Sequence, residues 1–414
     1  MTRGRVIVVG GGPAGSSTAW HLAREGVAVT VLDRARFPRP KACAEYLSPE
    51  ASRLLAKMGA LEPVERQGAT HLAGMLVRAP SGEVIHGEFA AAHGFRGFRD
   101  RGLAIPRVEL DALLLDRARH AGAEVRERVR VTDVLRDGDG RVCGVMTLDA
   151  DGRRGEQRAD LVIGADGLRS VVARRLKLAR TRRMPNRLAV VGHYEGVRGL
   201  GDMGEMHVER DGFCGMAHVG RGLTNLSVVV PARRAGEIAG DAPGFLDRWV
   251  AAHPQLAHRF ADARRTEPVL ATGPFAQHAR RAWAPGAALV GDAADYFDPF
   301  TGEGIYSALL GGELLAPHAC AALDELAHRR PAAADRALAR YHRARRREFA
   351  GRWIVERMIA ATIAWPPLIN RAARVLARRR DMADLLVGVT GDFVPASAVL
   401  RPGFLYALFL GRVA

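Results

Sequence analysis

Gly10-Gly11-Gly12-Pro13-Ala14-Gly15 follows the apolar run Arg5-Val6-Ile7-Val8-Val9 and precedes a helix-forming segment, Ser16 to Glu25. The run reads as a buried parallel strand. Each position of the G-x-G-x-x-G spacing then has a physical reading. Gly10 permits the tight turn, Gly12 lets a pyrophosphate approach the backbone, and Gly15 lets helix and strand pack closely. The N-terminus of the helix that follows, with its free N–H groups and partial positive charge, favours phosphate. A second strand, Val27 to Leu32, ends at Asp33, eighteen residues after Gly15 and next to Arg34. A carboxylate there accepts hydrogen bonds from a ribose. The stretch predicts a β-α-β dinucleotide site.

Two later stretches narrow the ligand. Leu161-Val162-Ile163 delivers Gly164-Ala165-Asp166-Gly167, and Ala288-Leu289-Val290 delivers Gly291-Asp292-Ala293-Ala294. Asp292, between strand and helix, is placed to bind hydroxyls of an extended polyol, which the flavin ribityl chain has and nicotinamide dinucleotides lack. Asp298-Pro299-Phe300-Thr301-Gly302-Glu303-Gly304-Ile305 then leads into a helix near Tyr306. Its glycines allow the backbone to lie against a flat ring, and the helix N-terminus would stabilise negative charge on a reduced flavin. In this order the stretches predict non-covalent FAD. Gly199-Leu200-Gly201-Asp202-Met203-Gly204 also spells G-x-G-x-x-G, but Glu205-Met206-His207-Val208-Glu209 after it alternates like a strand. It reads as a turn between strands. The chain therefore shows one dinucleotide fold, and NAD(P)H is expected only as a transient reductant.

Bulk properties exclude several classes. The 414 residues are 48% hydrophobic and 26% charged, a globular composition with a sizeable core. The chain starts at its first strand, so no signal peptide is expected, and no apolar run has the ~20 residues of a membrane span. The net charge of +16 is almost all arginine, because lysine occurs only at Lys41, Lys57 and Lys177. No nucleic-acid motif accompanies it, and no nucleic-acid partner is expected. Arg371, Arg374, Arg378, Arg379 and Arg380 are denser, and read either as a solvated helical face or as contact with an anionic membrane. Four scattered cysteines suggest no disulfide framework and no metal site. The expected location is cytoplasmic, with peripheral contact at the inner membrane surface through that helix and the apolar tail Phe404 to Leu410.

The expected fold class is α/β: a Rossmann-like FAD-binding domain interleaved with a β-sheet-rich substrate domain, plus a helical C-terminal region. Residues 1–67, 101–180 and 276–330 are assigned to the FAD-binding domain, 68–100 and 181–275 to the substrate domain, and 331–414 to the helical region. Asp137-Gly138-Asp139-Gly140 predicts a hairpin. The helices are expected to end near Arg380, before a less regular apolar tail.

Gly10 to Gly15, Asp166-Gly167 with Ser170, and Gly291-Asp292 resemble the class A flavoprotein monooxygenase superfamily, with its p-hydroxybenzoate hydroxylase-like fold. Phe37-Pro38-Arg39-Pro40-Lys41-Ala42-Cys43 and Asp298 to Ile305 more closely resemble the geranylgeranyl reductase branch, which flavin-dependent halogenases adjoin. The resemblance covers nearly residues 1–380. It implies that Lys41, Ala42 and Arg107 lie along the cofactor and that Val131 presents its backbone to the adenine. The chain also departs from that branch. Cys43-Ala44 stands where Cys-Gly is usual, Ala173 (beside Arg174) stands where an arginine often follows the Asp-Gly motif, and Phe213-Cys214-Gly215-Met216-Ala217-His218 lacks the Trp and Pro of the reductases' aromatic signature. The halogenases' Trp-x-Trp-x-Ile is absent.

Candidates on the substrate side are Glu45, Tyr46, Cys43, Cys214 and His218. His218 reads as a base, a phenol partner or a satisfied structural histidine, and Cys43 and Cys214 read as flavin neighbours or as packing. Smaller residues at 213–218 are expected to open space over the flavin. The expected activity is an NAD(P)H-dependent monooxygenase hydroxylating an aromatic or polyketide-like lipophilic substrate of secondary metabolism. A flavin-dependent reductase of isoprenoid C=C bonds and a non-catalytic flavin-binding protein are the alternatives. The sequence leaves the oligomeric state open.

Overall fold

The computed structural model describes residues 3–90, 93–181, 186–275, 277–296 and 298–411. Arg5–Val9 lies at the middle of a six-stranded sheet, flanked by Leu161–Gly164 and Ala28–Leu32. Ala287–Leu289 and Glu124–Arg126 extend it in parallel, and Trp283–Ala284 closes one edge antiparallel. Its inner strands are nearly continuous apolar runs because both faces are covered, by helix Pro13–Arg24 with its helical neighbours and by the antiparallel strands Arg130–Arg136 and Val142–Leu148. Helix Pro13–Arg24 crosses helix Gly304–Ala327 at Gly312, where a Cβ would meet Ser17 Oγ and the Thr18 amide at 2.6 Å. The Ser17 hydroxyl donates to the Leu309 carbonyl at 2.7 Å across this crossing. Three separate chain segments thus share one core.

Arg187–Glu195, Leu223–Pro231, Gly212–Gly220 and Met203–Glu209 form successive antiparallel neighbours of a second sheet, and Gly74–Arg78 joins Met203–Glu209 in parallel. Alternation gives this sheet two faces. Val190, Cys214, Leu226 and Val228 pack against Phe245, Leu246 and Trp249 of helix Ala242–Ala251. Ala189, Met206, Phe213 and Val229 face the other way and, with Ile363, Ile369 and Ala372, form a separate apolar cluster.

Several elements differ locally from the sequence expectations. Thr70–Leu72, assigned from sequence to the substrate domain, belongs to a small sheet with Tyr46–Leu47 and Gly102–Ala104 instead of joining this second sheet, the roof of the cavity described below. The segment before the predicted hairpin turn forms two strands. Glu124–Arg126 completes the parallel sheet, Arg128 takes φ +59°, and Arg130–Arg136 starts the hairpin with Val142–Leu148. The turn 199–204 leads into strand Met203–Glu209 and opens no helix. Helices Pro331–Ala364, Pro366–Arg378 and Arg380–Thr390 close over the apolar face of the roof, the last packing on Val84–Glu88. The tail expected to be irregular is helical over Pro402–Phe409, and Leu408 is buried in the roof cluster.

Candidate functional site

A cavity of about 560 Å³ lies between the glycine loops of the parallel sheet and the roof. Gly12, Pro13, Ala14, Gly291, Asp292, Pro299, Gly302, Gly304 and Ile305 line it, together with Lys41, Ala42 and Arg107. The remaining motif positions stand behind this wall. A Cβ on Gly15 would sit 1.8 Å from the Gly10 carbonyl oxygen, and one on Gly10 2.5 Å from that of Ala165. These two glycines set the close approach of loop, helix and strand. Asp33 accepts from the amides of Gly11 at 2.7 Å and Ala35 at 2.8 Å, so its carboxylate braces the first loop, while Arg34 is exposed. Asp166 is occupied likewise: it accepts from the Ser170 hydroxyl and the Val171 amide, both at 2.6 Å, and so caps helix Val171–Arg175. Val131 is buried in strand Arg130–Arg136.

The electrostatics at the floor suit a diphosphate and a polyol. Burial, then the neighbouring Arg107, lowers the Lys41 ammonium pKa, with Asp292 opposing. Burial likewise raises the Asp292 carboxyl, against Lys41 and Arg107. Asp292 has no hydrogen-bond donor among the described residues, an arrangement that ribityl hydroxyls would complete. Burial alone would lower the Arg107 pKa, but its two-point ion pair with Asp111 (2.7 and 2.8 Å) holds it up. These residues fit FAD.

The loop bearing Cys43 and Tyr46 is tied to the roof by a buried network that sequence reasoning missed. Glu45, at φ +63°, accepts from the Arg107 amide at 2.8 Å and from the Asn225 side-chain amide at 3.0 Å, and its other contact is His193 Nε2 at 2.7 Å. Asn225 also donates to the Cys43 carbonyl at 2.9 Å. Burial would lower the His193 pKa, but its hydrogen bond to Glu45 and the charges of Glu45 and Glu267 outweigh it and raise it. Strand alternation carried a signal, since Ala189, Val191 and His193 share one parity. Cys43, Glu45 and Tyr46 line the cavity.

Two candidates do not. Cys214 is fully buried on the opposite face of the roof, where burial pushes its thiol up to about 12. His218 shares that parity, and its Nδ1 lies 3.2 Å from the Thr224 hydroxyl. Period-two side-chain direction explains both corrections: Phe213 and Gly215 face the cavity, so 214 and 218 point away.

Beyond Tyr46, Met206, Gly215 and Gly302 the cavity continues into an arm of about 130 Å³. Met358, Ile363, Ile369, Leu376 and Leu408 line it, so its walls are almost entirely apolar. Glu303, which follows Gly302 and lines the larger cavity, is 4% exposed, with Oε1 lacking a hydrogen-bond partner among the described residues. Burial first, then Asp392 and Glu356, raises its pKa well above the ordinary carboxyl value.

A family described as FAD binding domain matches residues 3–354. The chain belongs to that family, within the class A flavoprotein superfamily and its branch of geranylgeranyl reductases and flavin-dependent halogenases, and is an FAD-dependent oxidoreductase. It is 30% identical over 396 residues to digeranylgeranylglycerophospholipid reductase 2 of Methanopyrus kandleri, covering 94% of this chain and 93% of that one. Menaquinone reductase of Mycolicibacterium smegmatis is 31% identical over 334 residues, 76% of each chain. Among solved structures, a myxobacterial chondrochloren halogenase superposes with a TM-score of 0.75 at 26% identity, covering 85% of this chain and 82% of that one. A geranylgeranyl bacteriochlorophyll reductase-like protein from Thermoplasma acidophilum gives 0.72 at 21% identity over 98% and 96%, a likeness of fold.

Proposed function

We propose that the protein is a reductase that saturates carbon–carbon double bonds in the isoprenoid chain of an amphipathic lipid. The observation that carries this reading is the narrow apolar arm leading away from the flavin-side cavity. A slender hydrocarbon chain can lie in it with successive double bonds presented at the junction. A rigid ring bearing hydroxyls would leave polar groups against Met358, Ile363 and Leu376 without partners, which is costly. The names of the two curated relatives support the same choice. Hydroxylation, the first expectation from sequence, has less support, because the space beside Gly215 is a narrow apolar channel instead of a broad bay.

Bound FAD would supply the two-electron chemistry, with NAD(P)H as the proposed transient reductant. Lys41 and Arg107 would hold its phosphates and Asp292 its ribityl hydroxyls. Glu303 lines the cavity beside Gly302, where burial favours its protonated form, and we assign it the proton that completes saturation. The Glu45 network would fix the loop that closes one side against water.

Prenyl lipid incubated anaerobically with reduced enzyme should gain two hydrogens, read by mass spectrometry. Product carrying an atom from labelled oxygen would return the assignment to a monooxygenase. For location, we propose that Tyr406 and Leu410, 62% and 74% exposed on the helix whose Leu408 and Phe409 line the arm, rest on an anionic membrane where lipid is collected. No helix among the described residues is long and apolar enough to cross a membrane.

A further inference from the structure

One wall of the large cavity, beside the 291–294 loop where the Ala279 amide donates to the Ala294 carbonyl at 2.6 Å, is cationic. Helix Pro331–Ala364 turns one stripe toward the cavity: His342, Arg346, Phe349 and Trp353, spaced at three to four residues. Arg280 reaches the same wall from the other side, because the Ala282 amide donates to His342 Nδ1 at 3.3 Å and pins residues 280–282 against the helix. Arg280 and Arg346 are exposed and have no ion-pair partner among the described residues.

The acids of this wall are already engaged. Asp295 forms a two-point pair with Arg345, both contacts at 2.6 Å, and Asp298 binds Arg187 at 2.6 Å. Burial, then Asp295, Asp298 and Asp392, pushes the Glu356 carboxyl up to about 8, so it is mostly neutral at pH 7. His342 is held neutral by burial and by Arg346, Arg345, Arg281 and Arg343. With Nδ1 accepting, its proton sits on Nε2, which adds a donor. Two uncompensated guanidinium groups and an imidazole N–H at a cavity rim, with aromatic rings one turn deeper, form a recognition site for phosphate on an elongated ligand.

We propose that Arg280 and Arg346, with His342, bind the phosphate or diphosphate of a ligand whose apolar or aromatic part lies along Phe349 and Trp353. The lipid arm of this proposal rests on the reductase reading, whereas the anion site does not. Phosphate chemistry has two sources here, a prenyl lipid headgroup and a nicotinamide dinucleotide.

Binding to FAD-loaded protein, measured without turnover, tests it. Inorganic diphosphate should bind wild type and lose roughly tenfold or more in affinity in Arg280→Gln/Arg346→Gln. Arg347→Gln, on the same helix but away from the cavity lining, should leave binding unchanged. Extension of the loss to farnesyl diphosphate but not farnesol identifies the lipid headgroup, and a loss for NADPH exceeding that for NADH identifies the nucleotide 2′-phosphate. Equal binding by wild type and double variant, or no binding to wild type at low salt, would overturn the site. So would loss of FAD from the double variant, because it would assign both arginines to the cofactor's own diphosphate. Failure of the reductase reading would show instead in the oxygen-labelled product, with diphosphate binding intact.

Discussion

The floor and the roof of this cavity are built on different physical terms. The floor is backbone: glycine loops at 10–15 and 302–304 and a carboxylate at 292, where a missing Cβ is the functional feature and sub-3 Å contacts leave no freedom. The roof and arm are side chains: apolar residues from a sheet and four C-terminal helices, where volume and not identity sets what fits. Interiors tolerate hydrophobic exchange that conserves volume, but a tight turn tolerates no added atom. A family can therefore keep its cofactor while changing its substrate.

The sharpest way to break this contrast is at the floor. Gly15→Val should destabilise by more than about 3 kcal/mol, because a Cβ 1.8 Å from a carbonyl oxygen forces strand and helix apart. Thermal unfolding and bound flavin would both report it. Wild-type flavin content in this variant would mean that the loop is not the cofactor's cradle. Next, Asp292→Ala should weaken FAD binding about 10- to 100-fold through lost polyol hydrogen bonds, while Asp202→Ala in the turn before Met203–Glu209 leaves it unchanged. Flavin fluorescence on dilution measures the difference.

At the roof the expected effects are smaller and selective. Ala44→Phe places a ring where cavity and arm meet, and should lower kcat/KM for a long prenyl lipid roughly tenfold at unchanged flavin content. Equal losses for short and long substrates would show that chain length is not read in the arm.

The network joining floor to roof should respond to pH. His193 has a native pKa raised above its ordinary value of 6.5. Its pairing with Glu45 therefore contributes stability that is fully present below 6.5 and lost as pH rises through the raised native value. His193→Gln should remove that slope from the melting temperature and cost about 1–3 kcal/mol at pH 6. A slope that survives the substitution assigns it to another group. Smallest of all, Tyr406→Ser/Leu410→Ser should leave stability within about 0.5 kcal/mol yet reduce co-sedimentation with anionic liposomes. Unchanged co-sedimentation would leave helix Pro402–Phe409 as ordinary packing.

The arginine run 371–380, a single feature in sequence, divides in the fold. Arg371 binds the Gly411 carbonyl, Arg379 pairs with Asp381 and Arg380 with Glu88. Any membrane contact is thus better sought at Tyr406 and Leu410 than in that run.

The sequence by itself determined the parallel sheet, the glycine loops, Asp292 and the FAD assignment. Those features depend on local backbone geometry, in which one residue's φ or missing Cβ acts within a few positions of itself. Tertiary structure alone decided which side chains share the cavity. Glu45, His193 and Asn225 meet from positions up to 180 residues apart, and Cys214 and His218 fall on the far face of their strand. Arg280 and Arg346 likewise converge from separate segments. Such meetings depend on how sheets and helices pack, and no short stretch of sequence encodes them.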